Sequence, residues 1–129
     1  ADATRYVESV VPLETLGDDK TALAAYTIAL TRWPDHPVAL FGAANVAHRL
    51  GKLESAQRGY ERLLELAPGN AIVLNNLAEV LLDRGCPRLA LRYVEKANAT
   101  GDLALAIADT KAEAEKSRAQ RKDGPDCGN

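Results

Sequence analysis

Apolar residues recur along most of this chain with a helical rhythm. Leu40, Ala43, Ala44, Ala47 and Leu50 fall at i, i+3, i+4, i+7 and i+10, and Leu74, Leu77, Ala78 and Leu81 repeat the rhythm further on. Ala56, Tyr60, Leu63 and Leu64 form a second apolar face between them. The rhythm breaks at regular places. Gly17, Gly51 and Gly85 are 34 residues apart, and so are Ala22, Ala56 and Ala90. Tyr26 pairs with Tyr60, Leu30 with Leu64, Pro34 with Pro68, Leu40 with Leu74, Ala44 with Ala78 and Val46 with Val80 at the same offset. So many positions in phase define a repeat. Each period holds two helices. Glycine suits the left-handed residue that ends the first, and proline stops the second. The phase predicts helices over 3–16, 20–33, 37–50, 54–67, 71–84, 88–99 and 102–121. Pro12 lies inside the first and should kink or shorten it, whereas Pro37 stands in an opening turn, where proline is tolerated.

Two stretches carry a resemblance. "ALAAYTIALTRWP" and "AQRGYERLLELAP" each follow a glycine placed five residues before their first alanine, and each ends in proline. This pattern resembles the tetratricopeptide repeat family, a 34-residue helix–turn–helix with alanine, an aromatic and a closing proline in its second helix. The likeness covers roughly residues 3–100. It implies an all-α fold of helical hairpins in a right-handed superhelix, with repeats near 3–36, 37–70 and 71–101. The chain departs from the pattern in places. Leu40 and Leu74 stand where tryptophan is common, and the third repeat has Val94 for tyrosine and Asp102 for proline, marking the end of the array. Residues 102–121 then read as a capping helix, with Asp102 as its N-cap and Leu103, Ile107, Thr110 and Ala114 as a thin apolar face. The expected organisation is one domain over 1–122 and a flexible tail over 123–129.

Composition narrows the function. A chain of 129 residues, 47% hydrophobic and 26% charged, fits one modest domain. The net charge of −2 and the absence of a basic stripe argue against nucleic acid. No apolar run is long enough to insert in a membrane, and the opening residues lack a signal-peptide pattern. The chain has no methionine, so a processed product or a fragment of a longer protein is expected. His36 and His48 lack metal-ligand spacing, nothing orients Cys86 with His48 as nucleophile and base, and no phosphate-binding glycine loop is present. No catalysis, metal or cofactor is expected. Cys86 and Cys127 fit neither a zinc site nor a redox motif, leaving two thiols or one disulfide. A capping helix returning towards the turn at Cys86 permits the bond. A disulfide would point to a bacterial periplasm, with the cytoplasm as the alternative; richness in alanine, leucine and arginine suggests a bacterial source.

The resemblance also implies where binding would occur, since first helices line the concave groove of such arrays. The positions are Val7, Glu8 and Val11, then Phe41, Asn45, His48 and Arg49, then Asn75, Asn76, Glu79 and Asp83. Asn45 and Asn76 match positions where peptide-binding members hold a ligand's backbone, which an amide can both donate to and accept from. The other reading is that both are simply solvated. Phe41 is either a binding anchor or a packing residue, and Trp33 is expected to pack over the inter-repeat turn. Chaperone-binding members clamp a terminal carboxylate with basic residues. Phe41, Ala106 and Thr110 occupy those places, so the clamp is absent. The expected function is a non-catalytic module binding a protein or peptide. Two alternatives stand beside it. "RYVESVVPLETLGD" followed by "ALAAYTIALTRWPD" is similar to the helical tails of bacteriocin-processing cysteine peptidases, which implies a docking or regulatory tail. The other is structural self-association into a homo-oligomer.

Overall fold

The computed structural model describes residues 2–120 together with Asp123, Gly124 and Cys127. These form seven helices and no strand: α1 (Asp2–Thr15), α2 (Asp19–Arg32), α3 (Pro37–Arg49), α4 (Leu53–Leu66), α5 (Ala71–Asp83), α6 (Pro87–Val94) and α7 (Gly101–Gln120). Positions 121 and 122 at the end of the expected domain, and positions 125, 126, 128 and 129 of the expected tail, lie outside the described residues.

The periodic glycines end helices by one device used three times. Gly17, Gly51 and Gly85 have φ of 79°, 76° and 78°, a left-handed backbone that glycine enters without steric cost. Their N–H groups donate to the carbonyls of Glu14, His48 and Leu82. The next residues, Asp18, Lys52 and Cys86, donate to Leu13, Ala47 and Leu81. This double bond pattern satisfies carbonyls that a helix end would leave open. Helix starts are also side-chain capped. Asp18 accepts from the Thr21 N–H, His36 Nδ1 from Ala39 and Asn70 from Val73, the last two at equivalent repeat positions.

Three expectations need correction. Pro12 does not shorten α1, which continues to Thr15 while the Leu16 N–H donates to the Pro12 carbonyl at 3.0 Å. Proline removes only its own N–H, and the residues after it keep theirs. The sixth helix stops at Val94, five residues before position 99. There the bonds tighten, Lys96 donating to Tyr93 and Ala97 to Val94, and Gly101 follows with φ of 65°. Asp102 is not an N-cap but lies in the first turn of α7, which begins at Gly101.

The chain forms two compact units that meet in sequence between Leu63 and Leu64, inside α4. In the first, α2 packs against α1 and α3, and α1 also reaches α3. Its core is Val7, Val10, Ala22, Tyr26, Ala29, Ala39 and Val46. Val7 is therefore a core residue, not a groove residue: it is 2% exposed, on the inward side of α1. In this unit α2 and α3 approach closely at Gly42. A Cβ there would stand 2.3 Å from Cζ of Tyr26, so hydrogen is the only side chain the contact admits. In the second unit α5 packs on α6, and α7 lies against both. Val73, Leu74, Leu77, Leu81, Leu91 and Val94 are buried here, each burial stabilising by roughly 1.5–3 kcal/mol. Ile107, Thr110 and Ala114 are the buried positions of α7, one narrow stripe on a largely exposed helix.

Candidate functional site

The first helices of the second and third repeats bury about half of their residues, and what they leave at the surface is ordered. On α3 the stripe runs Val38, Phe41, Asn45 and His48, with Arg49 beside its end; on α5 it runs Ile72, Asn76, Glu79 and Asp83. Steps of three and four put each set on one helix face. Both stripes begin on an exposed aliphatic residue at the same repeat position, Val38 at 53% and Ile72 at 46% exposure. Polar side chains follow, directly on α5 and after Phe41 on α3.

The named site residues have distinct surroundings. Phe41 is half-buried, its ring edge against Tyr60 with centroids 6.3 Å apart. It thus packs within its own repeat, on the edge of the stripe. The Asn45 side-chain oxygen accepts the Tyr60 hydroxyl, giving this amide a structural task that sequence reasoning did not foresee. His48 is half-buried, while Glu79 and Asp83 are exposed and Asn76 is intermediate. Asn75 is 4% exposed, and its Oδ1 has no hydrogen-bond partner. It belongs to the buried side of α5, not its open face. Trp33 packs on Tyr6, ring centroids 6.0 Å apart, with Arg32 over its face at 5.2 Å.

Arg49 is the centre of a polar network. Its guanidinium donates to Glu14 at 2.9 Å and to both oxygens of Asp19 at 3.1 Å. Glu14 also accepts the hydroxyl of the buried Tyr26. One cation therefore ties the end of α3 to the end of α1 and the start of α2. The hydrogen bond from Arg49 holds the Asp19 carboxyl below its ordinary value, and burial with the bond to Glu14 pushes the Tyr26 phenol well up. No spacing rule singles out Glu14 or Asp19, because their partner is 35 and 30 residues away.

The cysteines lie at the other end of the chain. Cys86 and Cys127 form a disulfide, with Cα atoms 5.5 Å apart and a separation of 41 residues. Two further bonds attach the same segment. The Gly124 N–H donates to the Gly85 carbonyl at 3.3 Å, and Asp123 accepts the Arg88 N–H at 3.0 Å. Cys86, the N-cap of α6, makes no capping bond itself. Asp123 supplies that cap from 35 residues away. Among the described residues, no group of three or more His, Cys, Asp or Glu side chains could hold a metal, and no helix is long and apolar enough to cross a membrane.

No protein-family model matches the chain, and no curated protein matches it in sequence. Solved structures do match. A tetratricopeptide repeat protein from Parabacteroides merdae superposes with a TM-score of 0.81 at 20% identity, over 92% of this chain and 46% of that one. The TPR2B-domain–pHsp70 complex of yeast Sti1 does so at 0.77 and 19%, over 93% of this chain and 96% of that one. The Sgt2 TPR domain from Aspergillus fumigatus gives 0.79 and 18%, over 100% and 90%. The chain thus spans less than half of the first protein and nearly all of the other two. Identities this low speak to the fold alone. With the 34-residue period and the paired helices, they lead to one conclusion: the chain has the all-α tetratricopeptide repeat fold.

Proposed function

We propose that the chain is a non-catalytic module that binds a protein or an extended peptide on the first helices of its repeats. The observation that carries this reading is the pair of stripes, each with an exposed aliphatic head and polar side chains further along, on helices whose other faces hold core residues. An aliphatic contact beside amide, imidazole and carboxylate groups suits an extended backbone with alternating side chains. A similar structure, the yeast TPR2B domain, was solved as a pHsp70 complex, which supports a protein-binding role for this fold. The disulfide supports an oxidising compartment such as a bacterial periplasm.

The test is a peptide selected from a random display library against the full chain, followed by single substitutions. Asn76→Ala and Glu79→Ala should each weaken its binding by roughly 0.5–3 kcal/mol. Melting temperatures measured beside the affinities separate loss of binding from loss of fold. Binding that survives these changes and is lost on Arg58→Ala would place the contact on α4 and overturn the reading. Asn45→Ala is a different experiment. It removes the acceptor used by the Tyr60 hydroxyl and should lower stability itself by about 1–3 kcal/mol.

A further inference from the structure

A second feature lies away from those stripes, wholly inside the first unit. Lys20, Leu23, Ala24, Thr27 and Ile28 on α2, with Leu50 and Lys52 from the turn after α3, line an open trough of about 560 Å³. The α2 residues recur at steps of three and four, so they share one face. Leu23 and Leu50 pack against the core cluster, which makes the floor a fixed surface. Ile28 is 60% exposed, high for a large aliphatic side chain on a regular helix. The Thr27 hydroxyl donates to the Leu23 carbonyl, leaving its methyl group to the trough. No acidic residue lines it. The nearest carboxylates in sequence are engaged elsewhere, Asp18 in capping Thr21, Asp19 with Arg49 and Glu54 with Arg58. Among the described residues, Lys20 and Lys52 make no ion pair.

We propose that this trough is a second docking site, for an acidic peptide segment carrying one large apolar side chain. The anchor would cover Leu23, Ala24, Ile28 and Leu50, and flanking carboxylates would meet the two ammonium groups. Charge complementarity selects the occupant, because the lining holds two ammonium groups and no carboxylate, which favours an acidic partner. Length agrees as well. From Lys20 to Ile28 the helix advances about 12 Å, the span of roughly four extended residues. The site uses the second helix of a repeat, so it stands or falls independently of the stripes on α3 and α5.

The experiment is a nitrogen-15 NMR titration of the full chain with the synthetic peptide Ac-Glu-Asp-Leu-Glu-Asp-amide. Saturable shifts are expected at residues 20–28 and 50–52, with at least about a fivefold weaker Kd in Lys20→Gln/Lys52→Gln and on raising salt from about 0.05 to 0.5 M. Ile28→Asp should abolish them, and replacing the peptide's leucine by serine should do the same. All three altered side chains are exposed, and an unchanged melting temperature confirms each fold. The proposal is overturned by a flat titration, by an equal response to the peptide with lysine for every acid, or by indifference to the double variant. Shifts in the same residues that depend on protein concentration alone would assign the trough to a second copy and also overturn it. So would capture of the protein by anionic vesicles through Lys20 and Lys52 without any response to the peptide.

Discussion

Replacing Gly42 by alanine should destabilise the fold even though alanine is the better helix former. Gly42 lies inside α3, where Gly→Ala on its own stabilises a helix by about 0.5–1 kcal/mol. Here the added methyl would stand 2.3 Å from Cζ of Tyr26 and 2.7 Å from both its Cε2 and its hydroxyl oxygen, while ordinary contact begins at 3.4 Å. The ring would have to retreat by about 1 Å in an interior packed like a crystal. It has little room to do so. Tyr26 is 1% exposed, and its far end is tied to Glu14, which Arg49 holds in turn. Overpacking of this kind costs about 1–3 kcal/mol, and pulling the hydroxyl from its carboxylate costs about 1.5–3 kcal/mol more. Set against the propensity gain, the net loss should be about 2–5 kcal/mol. Urea titrations followed by circular dichroism and by Trp33 fluorescence would measure it as a lower midpoint at constant slope. In a Tyr26→Ala background the obstacle is gone, and Gly42→Ala should become neutral or stabilising. A variant as stable as its parent, or an equal loss in both backgrounds, would refute the steric reasoning.

Reduction of the Cys86–Cys127 disulfide reopens a loop of 41 residues, and a urea titration with and without dithiothreitol should differ by about 4 kcal/mol. Asp123→Ala removes the cap on α6 and should lower stability by about 0.5–2 kcal/mol in the same assay. The depressed Asp19 carboxyl contributes stability above its unfolded value near 3.8 and loses it as pH falls through the folded one. Acid titration below about pH 4 should therefore unfold the parent more steeply than Arg49→Gln. The raised Tyr26 phenol acts in the opposite window: its contribution is whole below about pH 10 and lost as pH rises beyond, a dependence that Tyr26→Phe should remove.

Repeat phase made the helices legible because each glycine and cap acts within a few residues of itself. Gly17, Gly51 and Gly85 work through backbone bonds that reach no further than five residues, so spacing alone revealed them. The sixth helix was overextended because apolar spacing through Tyr93 and Val94 says nothing of the tight turns at Lys96 and Ala97. The surface was less legible. Helical spacing gives a residue's angle round the axis but not how deeply the neighbouring helix covers it, so Asn75 and Val7 read as open positions and are buried. Asn45 and Arg49 read as ligand groups for a related cause. Their partners, Tyr60, Glu14 and Asp19, belong to other helices, and no single-helix pattern contains them.

The clip formed by Asp123, Gly124 and Cys127 bears on how long a folded molecule lasts. Its attachments bridge 35, 39 and 41 residues, each longer than one repeat. Hairpins within a repeat close short loops and assemble early, whereas contacts of greater separation carry a larger closure entropy and form late. Interactions absent from the folding transition state leave the folding rate nearly untouched and slow unfolding instead. The clip therefore governs lifetime more than speed of assembly. Because one of its three attachments is covalent and reducible, that lifetime is set by the redox conditions around the protein.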